Sequence, residues 1–365
     1  MRVAVIGGGI AGLACADAFA RSGAAVSVFE HAPALTEVGA GLQVTPNGAR
    51  VLQALGVPLA DRSVKAQAVV PTSAISGRRL ARFDLSRKAY HFVHRADLVD
   101  MLAAACSDAG VHIKLGAAIT DPNTLEADLI VGADGLHSRV RPLLNGDDAP
   151  FFTGQVAWRA IIAAKASAEA QVWMAPGRHV VTYPLAGGRL NIVAVQERTA
   201  WAAEGWHHAD DPAHLQAAFA DCAPDLRALL AQVEAPKLWG LFRHPIAPHW
   251  HKGRMALVGD AAHPTLPFLA QGANLALEDA WSLAQHATQL PLDAALRAYQ
   301  AARVPRVTKA VDAANANARN YHLSGPARLI AHTGLRVLNR LAPNLIPSRL
   351  DWLYDHDVTT AAPRG

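Results

Sequence analysis

Residues 254–285 read RMALVGDAAHPTLPFLAQGANLALEDAWSLAQ, and this pattern predicts a strand, a loop and a helix in succession. The apolar run 255–258 is typical of a short buried strand, which Gly259 and Asp260 end. From Gly272 onward, apolar residues recur at helical spacing. Because glycine has no Cβ, the N–H groups that begin this helix can approach an electron-rich ligand, which the helix dipole also favours. The same pattern fits a surface strand, loop and helix that binds nothing.

The start of the chain carries a dinucleotide-binding pattern. An apolar strand at 2–6 leads into GGGIAG and then into a helix that ends near residue 22. In such a turn the first glycine allows the bend, the second admits a pyrophosphate, and the third lets helix and strand pack closely. The residues of this turn that we assign to a cofactor are Gly7, Gly9, Ala11 and Gly12. Glu30 ends the next strand, where a carboxylate can bind both hydroxyls of an adenosine ribose. This turn alone does not distinguish FAD from NAD.

Length, charge and cysteine content limit the class of protein. The chain has 365 residues, of which 51% are hydrophobic, so a large core with more than one lobe is expected. The net charge of +4 is spread along the chain, and we therefore expect no nucleic acid partner. Neither a membrane span nor a signal peptide is visible, which favours the cytoplasm and no stable membrane association. The three cysteines are few and far apart, which argues against a disulfide framework or a metal site.

A third motif, ADLIVGADGLHSRVR at 127–141, completes a recognisable set. The three motifs stand in the same order as in the single-component FAD-dependent aromatic hydroxylases, the group of salicylate hydroxylase and 6-hydroxynicotinate 3-monooxygenase. In particular, GDAAHPTLPFLAQGANLALEDA at 259–280 resembles the second flavin-binding motif of that family. The resemblance touches most of the chain as far as residue 281. It implies an α/β fold with a Rossmann-like FAD-binding domain, an interleaved β-sheet substrate domain and a C-terminal helical region.

The expected domain boundaries follow from these motifs and from changes in pattern. We assign the FAD-binding domain to 1–68, 93–150 and 251–290, the substrate lobe to a β-hairpin at 69–92 and a sheet at 151–250, and the C-terminal helices to 291–365. Short strands are predicted at 156–162, 171–174, 179–184 and 189–195, after which 213–233 is helical. Two helices are predicted at 292–303 and 304–321, the second with Pro305 near its start. We expect the amphipathic tail, 327–341 and 347–354, to pack back on the body of the protein, and contact with a membrane surface or a partner subunit is the alternative.

The resemblance assigns further residues to the cofactors. It implies that Arg95 binds the FAD pyrophosphate, although an arginine paired with a neighbouring aspartate is an alternative. It also places Asp134 near the FAD ribose and pyrophosphate. The flavin motif contributes Gly259, Asp260, Gly272, Ala273 and Asn274. Arg139 or Arg141 is implied to serve the transient nicotinamide donor, NADH or NADPH, for which the chain has no second glycine-rich turn.

The substrate site is expected on the predicted sheet. Strand alternation places His179, Val181 and Tyr183 on one face, where a histidine could take the proton of a phenol or pyridinol and a tyrosine could orient or relay it. A pair on the outer face of the sheet is the alternative. Three more residues are candidates for the substrate and peroxide pocket: Gln43, after a glycine-rich turn at the beginning of 37–55, Pro267 and Gln271. For Gln43 and Gln271 a purely structural role is the alternative.

Together these features predict an NAD(P)H-dependent flavoprotein monooxygenase, as a monomer or homodimer, that acts on a small aromatic substrate. The resemblance implies that NADH or NADPH reduces FAD, that O2 adds at the flavin C4a, and that an electron-rich hydroxybenzoate, salicylate or hydroxypyridine ring attacks the C4a-hydroperoxyflavin. Two alternatives remain: a flavin reductase or oxidase of the same fold that inserts no oxygen, and a non-catalytic nucleotide-binding protein. A Trp-x-Trp-x-Ile-Pro halogenase signature is absent from the sequence.

Overall fold

The computed structural model describes residues 1–35, 40–199 and 208–360. Most of the glycine-rich turn predicted at the beginning of 37–55 lies outside them. The strands are β1 (Arg2–Ile6), β2 (Ala25–Phe29), β3 (Gly41–Val44), β4 (Ser63–Lys65), β5 (Ala68–Ser73), β6 (Phe83–Asp84), β7 (His91–His94), β8 (His112–Lys114), β9 (Leu129–Gly132), β10 (Phe151–Ala163), β11 (Glu169–Ala175), β12 (Arg178–Leu185), β13 (Arg189–Glu197), β14 (His208–Ala209), β15 (Lys237–Arg243), β16 (His251–Lys252) and β17 (Met255–Leu257).

The helices are α1 (Ile10–Arg21), α2 (Pro46–Ala54), α3 (Arg95–Asp108), α4 (Arg141–Asn145), α5 (Pro212–Ala218), α6 (Pro224–Leu230), α7 (Gly272–Gln289), α8 (Leu292–Tyr321), α9 (Gly325–Leu341), α10 (Leu345–Ser348) and α11 (Asp351–Tyr354). None of the helices in the described ranges is long and apolar enough to cross a membrane. The mixed α/β architecture, with a Rossmann-like part, a second sheet and helices at the C-terminus, confirms the predicted fold class.

A six-stranded sheet in the order β16-β17-β9-β1-β2-β8 forms the Rossmann-like part. All of its pairings are parallel except that of β16 with β17. Its inner strands β1, β9 and β17 are apolar and largely buried because helices pack on the sheet, and α1 packs against both α3 and α7. The carboxyl ends of parallel strands meet at one edge. Gly7, Glu30, Asp134 and Asp260 all follow such ends, so the topology brings together residues that are far apart in the sequence.

An eight-stranded sheet in the order β14-β15-β10-β13-β12-β11-β5-β6 forms the second part, and a small sheet β3-β7-β4 lies with it. Its outer face, which carries Trp158 and Ile192, is covered by α5 and α6 through residues such as Leu226. Its inner face, which carries Val195 and Trp239, packs against the loop after β17, where Phe268 is buried. Each strand predicted from the sequence is present, and the strands of this sheet extend beyond their predicted ends.

The predicted break before Pro305 is wrong, because α8 is one continuous helix of 30 residues with this proline inside it. An internal proline removes a backbone hydrogen bond and costs about 3 kcal/mol or more. Packing on both sides of the proline offsets that cost, since Tyr299 and Arg303 before it and Val307 after it are buried. Tertiary contacts therefore outweigh a local signal that ends helices in isolation.

The expectation that the tail packs back on the body holds for only part of it. α11 does so, because Leu353 is fully buried. No residue of α9 is buried, and Leu329, Ile330 and Leu341 are 63%, 73% and 79% exposed. α9 contacts the body along one edge, where Leu335 packs on an apolar cluster. The apolar stripe that suggested packing is thus largely turned to the surface.

Candidate active site

The glycine turn after β1 has the geometry that its sequence suggests. Gly7 has a φ of +107°, which L side chains rarely adopt, and a Cβ there would lie 2.4 Å from the Ala133 carbonyl oxygen. A Cβ on Gly12 would meet the Gly7 oxygen at 1.9 Å, so only glycine lets α1 begin this close to the strand. At Gly9, by contrast, no atom of the described residues lies within 4 Å of an added Cβ. This open space at the start of α1 fits a phosphate that approaches the backbone.

Glu30 is held firmly at the end of β2. The Gly8 N–H donates to its Oε2 at 2.6 Å, and the Ala32 N–H donates to its Oε1 at 2.8 Å. The ring of His31 lies 2.7 Å from Oε1 by its Nδ1, although that side chain is 84% exposed. Each carboxylate oxygen has more than one acceptor position, so these contacts orient Glu30 and leave it able to accept ribose hydroxyls.

Asp260 lies at the edge where the parallel strands end. The residue is exposed, yet desolvation by surrounding protein atoms raises the pKa of its carboxyl, and the nearby side chains of His263 and Arg95 oppose this rise. The neighbouring Gly259 has a φ of +62°, and an added Cβ would lie 3.0 Å from the Ala11 side chain. Gly259 therefore lets the loop after β17 pack against the first turn of α1.

Asp134 and the two arginines after it have distinct roles. The Asp134 carboxylate accepts hydrogen bonds from the Ser138 hydroxyl at 2.6 Å and from the Arg139 N–H at 2.7 Å, and burial raises its pKa. These bonds fix the loop after β9 at the edge of the sheet where the parallel strands end. Arg141 is 2% exposed, and its guanidinium donates to Asp148 and to the carbonyls of 245, 261 and 262. Arg141 is thus a structural residue, which leaves the exposed Arg139 as the candidate for the nicotinamide donor.

The N-terminus of α7 is fixed by two buried amide side chains. The Gln271 Nε2 donates to the Thr45 hydroxyl at 3.1 Å and to the Leu269 carbonyl, and its Oε1 accepts from Asn47 at 3.1 Å. Asn274 accepts from the Thr45 N–H at 3.0 Å and donates to the Gln43 carbonyl at 2.9 Å. Both amides are used within the protein, which favours the structural alternative for Gln271.

The backbone of the same turn remains available for a ligand. The first N–H groups of a helix have no intrahelical partner, and here they belong to Gly272, Ala273 and Asn274. A Cβ on Gly272 would lie 3.1 Å from the Thr265 hydroxyl, so a side chain there would crowd the entrance. Pro267 is exposed in the short turn Pro267–Leu269 that leads into this helix. The open turn at Gly9, the carboxylate of Asp260 and these N–H groups together fit a flavin dinucleotide.

A buried ionic network behind α7 was not foreseen from the sequence. Arg303 donates to Glu278 at 2.6 Å and to Asp279 at 2.8 Å, and all three side chains are nearly inaccessible. Arg306 also binds Glu278, and His263 lies 2.5 Å from Asp279. Burial would raise the pKa of Glu278 and of Asp279, but the positive partners outweigh it and hold both pKa values below their ordinary range. The signal was an acidic pair within an apolar helix pattern, which requires a buried partner.

His179, Val181 and Tyr183 share the inner face of the second sheet, and they do not lie on its outer face. Strand register places His179 in a row with Val195 of β13, and Tyr183 in a row with Asn191. The row between them contains Val181, Val193 and, one strand farther, Arg159. The Arg159 guanidinium lies over the Trp239 ring at 4.1 Å. A histidine, a tyrosine and an arginine therefore surround an apolar patch on the side that faces the flavin motif.

His179 connects the flavin motif to the C-terminal helix. Its ring lies 5.3 Å from that of Phe268 and 5.2 Å from that of Tyr321. Its Nδ1 lies 2.7 Å from Nε2 of His322, whose Nδ1 lies 2.7 Å from Oε1 of Glu197. Burial lowers the pKa of His179 well below its ordinary value, so the ring is neutral at pH 7. Sequence analysis missed His322 and Glu197, which carry no motif of their own.

Tyr183 lies at the other end of this face, away from His179. Its ring stacks on that of Phe92 at 5.1 Å, and burial raises the pKa of its hydroxyl. Nearby, the Tyr90 hydroxyl donates to Gln43 Oε1 at 2.6 Å. Gln43 is partly exposed, so it remains a candidate for the pocket wall, with its side-chain oxygen already engaged.

Comparison with known proteins identifies FAD-binding and Rossmann-like domains in this chain. Residues 99–314 match the FAD binding domain family, and residues 5–51 match the NAD(P)-binding Rossmann-like domain family. The chain is 36% identical to 3-amino-4-hydroxybenzoate 2-monooxygenase PtnB3 of Streptomyces platensis, with 100% of this chain and 97% of the relative covered. It is 31% identical to 3-hydroxybenzoate 6-hydroxylase of Polaromonas naphthalenivorans (strain CJ2), with 98% and 96% covered.

Solved structures give the same assignment. Klebsiella pneumoniae HpxO complexed with FAD and uric acid superimposes with a TM-score of 0.82 at 26% identity, with 96% of this chain and 97% of that chain covered. A salicylate hydroxylase substrate complex has a TM-score of 0.83 at 24% identity, with 100% and 98% covered, which shows a shared fold. The glycine turn, the N-terminus of α7 and these relatives agree. The chain therefore belongs to the FAD-dependent aromatic hydroxylases, the family of flavoprotein monooxygenases that its motifs resemble.

Proposed function

We propose that this enzyme hydroxylates a small aromatic ring of the hydroxybenzoate type, which bears a carboxylate and a phenolic hydroxyl, with NADH or NADPH as reductant and O2 as oxidant. The observation that carries the proposal is the placement of Arg159 and His179 on the inner face of the second sheet, separated by the apolar side chains of Val181 and Val193. A cation and a proton acceptor at opposite ends of an apolar patch complement such a ring. The names of the relatives described above include two hydroxybenzoates.

Arg159 is suited to the carboxylate. A guanidinium forms paired hydrogen bonds with a carboxylate, and its stacking on Trp239 restricts its orientation. β10 and β12 are separated by β13, so the backbones that carry Arg159 and Val181 lie about 10 Å apart at the usual strand spacing. That separation accommodates a hydroxybenzoate that lies over β13 on the inner face of the sheet.

His179 is suited to the phenol. Removal of the phenolic proton makes the ring a stronger nucleophile, and a neutral imidazole can accept that proton. Phe268 and Tyr321 pack around the His179 ring, which limits water at the proton acceptor. Tyr183 borders the far end of the pocket, where it would contact the ring edge.

The chain would hold FAD along the edge described above. The turn at Gly9 and Arg95 would bind the pyrophosphate, Glu30 and Asp260 would accept hydroxyl hydrogen bonds, and the N–H groups that begin at Gly272 would face the electron-rich side of the flavin. When bound, FAD accepts the hydride and activates O2. The protein supplies orientation, a dry pocket and the proton acceptor.

The test is aerobic oxidation of NADH and of NADPH by the FAD-loaded enzyme with 3-amino-4-hydroxybenzoate, 3-hydroxybenzoate and 6-hydroxynicotinate, with product masses measured. We expect one ring to stimulate oxidation and to gain one oxygen atom. Stimulated oxidation without an oxygenated product would contradict the proposal and favour the reductase or oxidase alternative. The proposal would also be contradicted if no ring in a broader panel of benzoates and pyridines stimulated NADH or NADPH oxidation.

Arg159→Met tests the carboxylate contact. We expect KM for the carboxylated ring to rise at least about tenfold, because a charge-assisted pair with a carboxylate contributes about 1.5–3 kcal/mol. The matched control is the same ring without its carboxylate, for which the variant and the natural enzyme should have similar KM values. An equal loss for both rings would show that Arg159 acts on the structure and not on the carboxylate.

A further inference from the structure

We propose that His322 and Glu197 form a proton exit path that carries the substrate's phenolic proton from His179 to solvent. The inference rests on the proposed function, because it assigns the route of the proton that activates the ring. His322 and Glu197 act through His179 and do not contact the substrate, so they are positioning and relay residues.

The geometry is a continuous path from the interior to the surface. Nδ1 of His179 lies 2.7 Å from Nε2 of His322, and Nδ1 of His322 lies 2.7 Å from Oε1 of Glu197. The exposure rises along it: His179 is 2% exposed, the His322 side chain 4%, and the Glu197 side chain 52%. The backbone closes the same unit, since the Gly177 N–H donates to the His322 carbonyl and the Glu197 N–H donates to the Gly177 carbonyl.

The path also fixes the tautomer of each ring. A carboxylate only accepts hydrogen bonds, so Nδ1 of His322 must carry the hydrogen that faces Glu197. Nε2 of a neutral His322 is then an acceptor, and Nδ1 of His179 must donate to it. This leaves Nε2 of His179 with a free lone pair, and that atom bonds to no other residue in the described part of the chain. The network thus prepares His179 as a base.

Burial explains why a base at this position requires an exit. Desolvation lowers the pKa of both histidines, so a second proton that stays on either ring, which makes it a cation, is unfavourable. Of the elements packed around His179, β13 contributes Val195 and Glu197, the end of α8 contributes Tyr321 and His322, and the flavin loop contributes Phe268. Arg178, its neighbour in β12, pairs instead with Asp221. Transfer to Glu197 removes the positive charge from both rings and leaves the substrate as its phenolate.

The transfer balances without a redox change. The substrate O–H bond breaks as Nε2 of His179 gains a proton, and Nδ1 of His179 passes its own proton to Nε2 of His322. Nδ1 of His322 then passes its proton to Glu197, which releases it to water. The reverse sequence, when the product oxygen regains a proton before release, restores the starting tautomers.

The experiment follows the proton on the oxidised, FAD-loaded enzyme in the absence of reductant. The probe is 4-hydroxy-3-nitrobenzoate, whose phenolate is yellow, mixed in a stopped-flow instrument at a pH at which the free probe is protonated. Glu197→Gln and His322→Gln keep a hydrogen-bonding side chain but cannot pass a proton on. We expect the rate of phenolate appearance to fall at least about tenfold in both, within the range of general-base effects, with FAD content and equilibrium affinity for the phenol-protonated probe unchanged.

The matched control is Glu234→Gln, which makes the same charge change at an exposed glutamate away from the path. A natural rate in Glu197→Gln would overturn the relay, as would an equal loss in the Glu234 control. If His322→Gln loses FAD, the exposed Glu197 variant alone decides the outcome. Product analysis with the natural enzyme separates the two claims. If the natural enzyme hydroxylates the ring but the variants keep the natural rate of phenolate appearance, only the relay is rejected. If the natural enzyme forms no hydroxylated product, the proposed function is rejected.

Discussion

Ala270, which precedes α7, adopts a φ of +55° and is the one non-glycine residue in the described ranges with a positive φ. This left-handed conformation costs an L-residue about 1–2 kcal/mol, which glycine does not incur. Ala270→Gly should therefore stabilise the protein, by about 0.5–1 kcal/mol after the greater entropy of unfolded glycine is subtracted. Urea unfolding of the FAD-free protein measures the difference. The matched control is Ala104→Gly in α3, an exposed helical site where the same change should destabilise by about 0.5–1 kcal/mol.

At the residue scale, the roles that depend only on local chemistry could be predicted from the sequence. The tasks of Gly7 and Gly12 follow from the absence of a Cβ, and the structure gives the close contacts that require it. The role of Gln271 could not be chosen, because its partner Thr45 lies 226 residues away. His322 was invisible for the same reason, since 143 residues separate it from His179. Residues whose role depends on a distant partner become assignable only once the fold is known.

At the scale of elements, helix type and position were predictable from periodicity, but the contacts between α7 and α8 were not. Pro305 suggested two helices, whereas burial of Tyr299, Arg303 and Val307 stabilises one. The continuous helix also lets Arg303 and Arg306, on either side of Pro305, both pair with Glu278 of α7. The local pattern of α8 does not predict these contacts.

Arg303→Met tests the network between these two helices. It leaves the buried carboxylates of Glu278 and Asp279 without their shared cation, and we expect a loss of about 3–5 kcal/mol in the free energy of unfolding. The matched comparison is Arg297→Met, an exposed position of the same helix whose ion pair with Asp293 should contribute less than about 1 kcal/mol. Similar losses in both variants would contradict a special role for the buried pair.

The same network predicts a pH dependence. In the folded protein the pKa values of Glu278 and Asp279 lie below their ordinary values of 4.5 and 3.8, so the unfolded chain binds protons first as the pH falls. The contribution of these two carboxylates to the free energy of unfolding is fully present at a pH above the ordinary pKa values. It is lost as the pH falls through the pKa values of the folded protein. Denaturation followed between pH 7 and pH 3 should therefore show stability falling at the acid end. Arg303→Met should shift the acid midpoint upward, and an unchanged midpoint would show that other carboxyl groups dominate.

At the scale of the whole molecule, the candidate cofactor site joins parts of the chain that are separate in sequence: the turn after β1, the ends of β2 and β9, and the start of α7. The small sheet and the second sheet are attached to it through Asn274, which bonds the backbone of β3, and through Asn191, which accepts from the Gly41 N–H at 2.7 Å. A ligand that contacts all of these segments should stabilise the two sheets as one unit. This is a property of the assembled fold and could not be predicted from any single motif.

FAD should therefore stabilise the whole protein in a single unfolding transition. A ligand present at a thousand times its dissociation constant adds about 4 kcal/mol to the free energy of unfolding, so Tm should rise with FAD concentration for probes in both sheets. Tryptophan fluorescence, with Trp239 in the second sheet and Trp250 in the Rossmann-like core, can be compared with circular dichroism. Glu30→Ala should weaken this dependence, because it removes the ribose acceptor, whereas Glu126→Ala at an exposed site should not. Two separate transitions with only one responding to FAD would show that the sheets unfold independently, and an undiminished response in Glu30→Ala would remove Glu30 from the cofactor site.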